Sequence, residues 1–194
     1  MSYTKVRQYT TPELLKRVTK LDTFKGFPKD EFIIGVRSKE NTKNVYDDKF
    51  YHYNGNLVCI NVLTGTTNSG SYGFKNYLKW NSKGVAEIKA NECYYNVWKP
   101  GLHKGKMQGL RQVGGFKVIR KKHENDSILF WTIEFNRGLN FHTNTYNKLS
   151  KVVKWFIGGW SVGCQVCNNP VDYYKSMKTL KKQKRITYFL IEEF

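Results

Sequence analysis

The chain has 194 residues, of which 40% are hydrophobic and 15% aromatic. This apolar content can fill a sizeable core and excludes a disordered tail. The formal charge is +18, because 33 Lys and Arg residues outnumber 15 Asp and Glu residues. Such an excess favours an anionic partner (nucleic acid, anionic lipid or an anionic wall polymer), and a surface that only keeps the protein soluble is the alternative.

The first 29 residues predict a helical appendage (1–29) to one larger domain (30–194). Thr11 suits the N-cap and Pro12 the first helical position. Apolar residues then recur at helical spacing, namely Leu14, Leu15, Val18 and Leu21.

The middle of the chain, from about residue 32 to 135, has mostly β patterns. Asn54 and Gly55 lie between two alternating runs, which is a strong hairpin signal. We expect another strand segment to end at Pro100 and Gly101, and residues 65–73 to form a loop. The predicted strand segments are 31–38, 49–65, 84–101 and 114–135, the last interrupted by a charged turn at 121–126.

The C-terminal part predicts a basic helix over residues 170–185 and a final strand over 186–194. The fold class is therefore mainly β, with an N-terminal and a C-terminal helix. The lysines of the basic helix could contact a polyanion, and a solvated helix face is the equal alternative.

The densest chemistry lies between residues 138 and 167. A nucleophilic cysteine needs a nearby base and donors for the developing oxyanion. Gly163, directly before Cys164, leaves room for a substrate carbonyl and permits a turn that aims backbone N–H groups at it. His142 is a suitable base at neutral pH, and the spacing allows a strand with His142 to pair beside a turn with Cys164.

Cys164 and Cys167 form a C-x-x-C pair, which can indicate a redox pair or half a zinc site. The other two cysteines, Cys59 and Cys93, are isolated in strand-like segments, so we expect no metal and no cofactor. Cys164 as a buried structural thiol is the plain alternative. A disulfide between Cys164 and Cys167 that silences the nucleophile is a further hypothesis.

Two segments, "NFHTN" (140–144) and "GGWSVGCQV" (158–166), resemble the His…Ser-x-Gly-Cys signature of L,D-transpeptidase (YkuD-like) catalytic domains, and especially a phage-associated branch. The segment "GLHKGKMQGLRQ" (101–112) and, more weakly, "VLTGTTNSG" (62–70) resemble the same branch. The resemblance extends over about residues 30–170. It implies a β-sandwich-like fold and acylation of the cysteine by a peptidoglycan stem peptide.

The resemblance also implies residue roles. Cys164 would attack the peptide carbonyl, His142 would be the base, and the backbone carbonyl of Thr143 would orient His142. The N–H groups of Val162, Gly163 and Cys164 would form the oxyanion hole. The chain departs from the family pattern at Val162, where the family has a second histidine.

Four residues are candidate substrate contacts: His103, Lys104, Trp160 and Ser161. His103 and Lys104 could bind a stem-peptide carboxylate, and a solvated basic loop is the alternative. Trp160 could form a wall of the active site or pack in the core, and Ser161 could contact substrate or only shape the turn.

The acyl-enzyme would pass to water or to an amine, so we expect a phage-type wall hydrolase (L,D-peptidase) or an L,D-transpeptidase, with peptidoglycan as partner. The alternative is a basic nucleic-acid-binding or virion structural protein, including an inactive homologue that contacts other virion proteins. The sequence has no apolar stretch long enough to span a membrane and no secretory signal. We therefore expect synthesis in a host cytoplasm and action on the wall after release (lysis) or as a virion component.

Overall fold

The computed structural model describes residues 5–126 and 130–194. Its helices are α1 (Thr11–Val18), α2 (Ser71–Lys75) and α3 (Pro170–Leu180), with a 3-10 turn at Tyr77–Lys79. Its strands are β1 (Phe32–Arg37), β2 (Asp48–Tyr53), β3 (Cys59–Thr66), β4 (Val85–Ile88), β5 (Glu92–His103), β6 (Met107–Gln112), β7 (Phe116–Lys121), β8 (Thr132–Glu134), β9 (Phe141–Thr143), β10 (Gln165–Cys167) and β11 (Ile186–Glu192).

The main sheet is a closed barrel with the strand order β1-β11-β5-β6-β9-β10-β3-β2. Its parallel pairs are β1 with β11 and β9 with β10, and strands β4, β7 and β8 form a separate sheet. The mainly β class and the two terminal helices are confirmed. The expected sandwich is replaced by a barrel, because β11 joins β1 to β5 and β10 joins β3 to β9, so each barrel strand pairs on both sides.

Strand β1 is covered on both faces of the barrel wall, since all six of its residues are buried. Ile33 lies in the interior cluster, whereas Phe32 and Ile34 point outward and pack with Leu14 and Val18 of α1. Large aromatic rings fill the interior and contact one another across the barrel, namely Phe50, Trp98, Phe141 and Tyr188. Through its contacts with Phe32 and Ile34, helix α1 covers the outside of the barrel with its apolar stripe.

The predicted N-cap was wrong by one residue. Helix α1 begins at Thr11, and Thr10 is its N-cap with extended backbone angles. The Thr10 backbone N–H donates to the Glu13 carboxylate at 2.7 Å, which is the main cause that lowers the Glu13 pKa to about 2. Glu13 thus accepts a hydrogen bond from a backbone N–H that the helix leaves unpaired, as in a capping box.

The hairpin at Asn54 and Gly55 is confirmed, because β2 and β3 pair antiparallel on either side of it. A side chain at Gly55 would lie 1.8 Å from the Lys29 carbonyl oxygen, so this close approach requires glycine. The predicted loop at 65–73 gives way to the end of β3 and the start of α2.

The segment 84–101 contains strands, as predicted, namely β4 and most of β5. Its predicted end was wrong, because β5 continues past Pro100 and Gly101 to His103. Pairing with β6 carries the strand onward, since Pro100 lies opposite Leu110 and His103 opposite Met107. The continuation matters because it extends β5 as far as His103.

Other predicted elements are close to those observed. Strands β7 and β8 pair antiparallel around the charged turn, although residues 127–129 of that segment lie outside the described residues. Helix α3 ends at Leu180 rather than near residue 185. Within the described residues, no helix combines the length and apolar character needed to cross a membrane.

The interior ring of Phe141 should be important for stability. It is fully buried against Phe50, Trp98 and Tyr173. Phe141→Ala should lower the free energy of unfolding by roughly 3–5 kcal/mol in urea titrations, because it removes contacts and leaves a cavity. Leu149→Ala is the control, since Leu149 is 87% exposed and should change stability by less than about 0.5 kcal/mol. Similar losses in both variants would contradict this packing.

Candidate active site

The parallel pairing of β9 and β10 brings the candidate base and nucleophile together. His142 lies opposite Val166, and Cys164 directly precedes β10. One ring nitrogen of His142, one of His103 and the Cys164 sulfur all lie within 4.8 Å of one another. The sequence spacing allows a His142 strand to pair beside a Cys164 turn, and the structure has this pairing, with His103 joining from the end of β5.

The glycine before the nucleophile is required by packing. Gly163 has a φ of +131°, and an added Cβ would lie 2.7 Å from the Ala86 Cβ and 2.9 Å from a Leu139 methyl carbon. The space beside Gly163 is therefore occupied by Ala86 and Leu139, which corrects the expectation that it is left for a substrate carbonyl. Glycine still permits the turn, as expected.

Ser161 holds this turn from within. Its hydroxyl oxygen accepts from the Gly163 N–H at 3.1 Å, and the hydroxyl donates to the Cys164 carbonyl at 2.9 Å. The Ser161 side chain is buried, so its contacts are those of a turn-shaping residue. The Gly163 N–H, one of the three expected oxyanion donors, is consequently already engaged.

His142 is held as a neutral base. Its Nδ1 lies 2.6 Å from the Thr143 carbonyl oxygen, which can only accept, so Nδ1 carries the proton. The Nε2 lone pair is buried and has no hydrogen-bond partner among the described residues. Burial, followed by the nearby His103, lowers the His142 pKa to about 3. The Thr143 carbonyl thus makes the contact with His142 that the family resemblance implies.

His103 stacks on His142 with ring centroids 4.0 Å apart. Its Nδ1 lies 3.0 Å from the Asn140 amide nitrogen, and the Asn140 amide oxygen accepts from the Gln112 backbone N–H at 2.9 Å. Burial and then the charge of Lys104 lower the His103 pKa to about 4. Both histidines are therefore neutral near pH 7.

Cys164 is a protonated thiol in this environment. Burial raises its pKa to about 11, and the Asn140 backbone and Lys104 offset this only in part. The thiol donates to the Gly138 carbonyl at 3.1 Å. The resting site is thus a neutral thiol near a neutral imidazole, and the thiol is hydrogen-bonded to Gly138 rather than to His142.

A cavity of about 260 Å³ opens onto the Cys164 side chain. Lys104, Arg120 and Arg137 line it, and Arg120 pairs with Glu134. Among the described residues, Lys104 and Arg137 form no ion pair. The cavity therefore presents two cationic groups that suit a substrate carboxylate.

The structure places most of the predicted contact residues at this cavity. His103, Lys104 and Trp160 line it, whereas Ser161 does not. Sequence reasoning missed Arg137 and the second tryptophan of the wall, Trp80. Trp80 is remote from the motif segments, whereas Arg137 lies three residues before Asn140 but belongs to no motif.

The C-x-x-C pair does not form one site. Cys164 and Cys167 belong to different buried clusters, and Cys167 packs in the barrel interior. Residues three apart on an extended chain point to opposite faces, which separates the two sulfurs. Both thiols are free. Within the described residues, the set with metal-ligand spacing is instead His103, His142 and Cys164, the proposed catalytic groups themselves.

Comparison with known proteins identifies no relative. No protein-family model, curated protein or solved structure matches the chain. The resemblance of the His142 and Cys164 segments to L,D-transpeptidases therefore stays a prediction.

The raised pKa predicts how Cys164 reacts with iodoacetamide. Because the thiolate is the nucleophile, its alkylation rate should rise about tenfold per pH unit between roughly pH 7 and 10. Quenched time courses with peptide mapping separate this label from labels on the half-buried Cys59 and Cys93. A rate that is already constant above about pH 7 would reveal a preformed thiolate and contradict the neutral resting site.

Proposed function

We propose that the chain is a cysteine-dependent acyl-transfer enzyme that acts on peptidoglycan stem peptides, as a phage-type L,D-peptidase or as an L,D-transpeptidase. The observation that carries this proposal is that a ring nitrogen of His142, whose Nδ1 is bonded to the Thr143 carbonyl, lies within 4.8 Å of the Cys164 sulfur, which lines a cavity with cationic side chains. The sequence resemblance supports the choice of substrate class.

The reaction follows from the proton positions. His142 Nε2 accepts the thiol proton as the Cys164 sulfur attacks the peptide carbonyl carbon, and the carbonyl electron pair moves to oxygen. When the carbonyl re-forms, the C–N bond breaks and the leaving amine takes the proton from His142. The Thr143 carbonyl holds the His142 ring in the orientation that both transfers need.

The resulting thioester on Cys164 has two fates. Attack by water gives hydrolysis, and attack by a second amine gives transpeptidation, with His142 again as the base. Hydrolysis is the outcome that the phage-like motif favours. The backbone N–H groups of Val162 and Cys164 remain the proposed oxyanion donors, since that of Gly163 already bonds to Ser161.

The cationic lining supports a substrate with free carboxylates, which stem peptides carry. Lys104 and Arg137 are exposed at the cavity, so they can meet a carboxylate without an ion pair having to break. The +18 charge also suits nucleic acid, which keeps the binding-protein reading as a second candidate.

Turnover of isolated muropeptides, followed by mass spectrometry under reductant, tests the enzyme directly. Cys164→Ala should abolish turnover, and His142→Gln should lower kcat by about 10² to 10⁴, the usual contribution of a general base. Cys93→Ala is the matched control, because Cys93 packs on the α1 side of the barrel and should leave turnover at the native level.

Two results would count against the enzyme. Equal turnover by native protein and Cys164→Ala would exclude cysteine chemistry. No turnover, together with salt-sensitive binding of nucleic acid by both proteins, would favour the nucleic-acid-binding alternative.

Carboxylate recognition gives a separate prediction. Arg137→Gln should raise KM for muropeptides by about tenfold with kcat nearly unchanged. This result is expected when an interaction that is equally strong in the ground state and the transition state is lost. Lys178→Gln removes an equal charge from an exposed position on α3 and should leave KM unchanged. Equal KM values for both variants would place the carboxylate elsewhere.

A further inference from the structure

The hydrogen bonds around His103 fix where its proton lies. The Gln112 backbone N–H can only donate, so it identifies the oxygen of the Asn140 amide. The Asn140 NH₂ group therefore points at His103 Nδ1 and donates to it. A neutral ring that accepts at Nδ1 carries its proton on Nε2.

The two stacked rings consequently have opposite tautomers. His142 is protonated on Nδ1 and offers a lone pair at Nε2, whereas His103 is protonated on Nε2 and offers a donor. Both rings are buried and neutral, so neither places a full positive charge beside the other. One ring can take a proton while the other can only donate a hydrogen bond.

The position of His103 gives this donor a use. A ring nitrogen of His103 lies within 4.8 Å of the Cys164 sulfur. Asn140 occupies Nδ1, so Nε2 is the nitrogen left for a substrate, and His103 and Cys164 line the same cavity. A donor on this ring is therefore near the oxygen of a carbonyl that the sulfur attacks. The site also lacks one expected donor, because the Gly163 N–H already bonds to Ser161.

We propose that His103 is a catalytic residue whose Nε2–H donates to the substrate oxyanion, as a side-chain member of the oxyanion hole. This role rests on the proposed function. As the sulfur–carbon bond forms, the carbonyl electron pair moves to oxygen, and the His103 N–H stabilises that charge without transferring its proton. The hydrogen bond weakens again when the carbonyl re-forms and the amine leaves.

The neutral state of His103 is part of this role. A cationic donor would disfavour the proton that His142 must accept, whereas a neutral N–H stabilises the oxyanion and leaves His142 free to become imidazolium. Asn140 is the positioning residue, since it holds both the ring and its tautomer.

The tautomers can be measured without any activity. Long-range ¹H–¹⁵N NMR of the native protein near pH 7 distinguishes protonated from unprotonated ring nitrogens. His103 should show its proton on Nε2 and His142 on Nδ1. A His103 ring protonated on Nδ1 would overturn the inference, and it would leave the Cys164 and His142 assignments intact.

Turnover of muropeptides then tests the role. His103→Phe keeps a flat ring on His142 but has no donor, and it should lower kcat by about 10² to 10³ with little change in KM. His103→Gln restores an N–H donor at similar reach and should recover most of that loss. Circular dichroism and Cys164 alkylation check that both variants keep the native site.

Equal losses of kcat in the Phe and Gln variants would indicate a structural role and overturn the proposal. A change confined to KM would assign His103 to substrate binding and also overturn it. Absence of turnover in the native protein would instead reject the proposed function, and the oxyanion role with it, independently of the NMR result.

Discussion

Two three-residue strands, β9 and β10, lie parallel in the barrel wall, and the candidate site depends on their pairing. The pairing sets His142 beside the start of β10, where Cys164 ends a tight turn. This turn depends on glycine at position 163, because a Cβ there would clash with Ala86 and Leu139. A closed barrel holds such short strands in register because each one pairs on both sides.

Burial then determines the chemistry of the site. It lowers the pKa of His142 and His103 and raises that of Cys164, so all three groups are uncharged at rest. The proton positions are set by backbone groups with a single hydrogen-bonding role, the Thr143 carbonyl and the Gln112 N–H. In the proposed mechanism, charge would develop only when a substrate carbonyl is attacked, in a site where donors are already oriented.

The sequence predicted local features well and long-range ones poorly. The hairpin at Asn54 and Gly55 and both terminal helices have local signals, and the structure confirms them. The spacing of His142 and Cys164 only allows the β9–β10 pairing that the structure shows. Barrel closure depends on pairing between distant strands, which no local pattern specifies. The stacking of His103 on His142 likewise requires β5 to continue through Pro100, where a strand would be expected to stop.

We propose above all that Cys164 forms an acyl-enzyme with a stem peptide. Intact-protein mass spectrometry of native protein, quenched in acid soon after mixing with muropeptides, measures this directly. We expect an added mass equal to the stem-peptide acyl group, mapped by fragmentation to Cys164 and absent from Cys164→Ala. Turnover with no adduct at any quench time, or an adduct that persists in Cys164→Ala, would contradict an acyl-enzyme on Cys164.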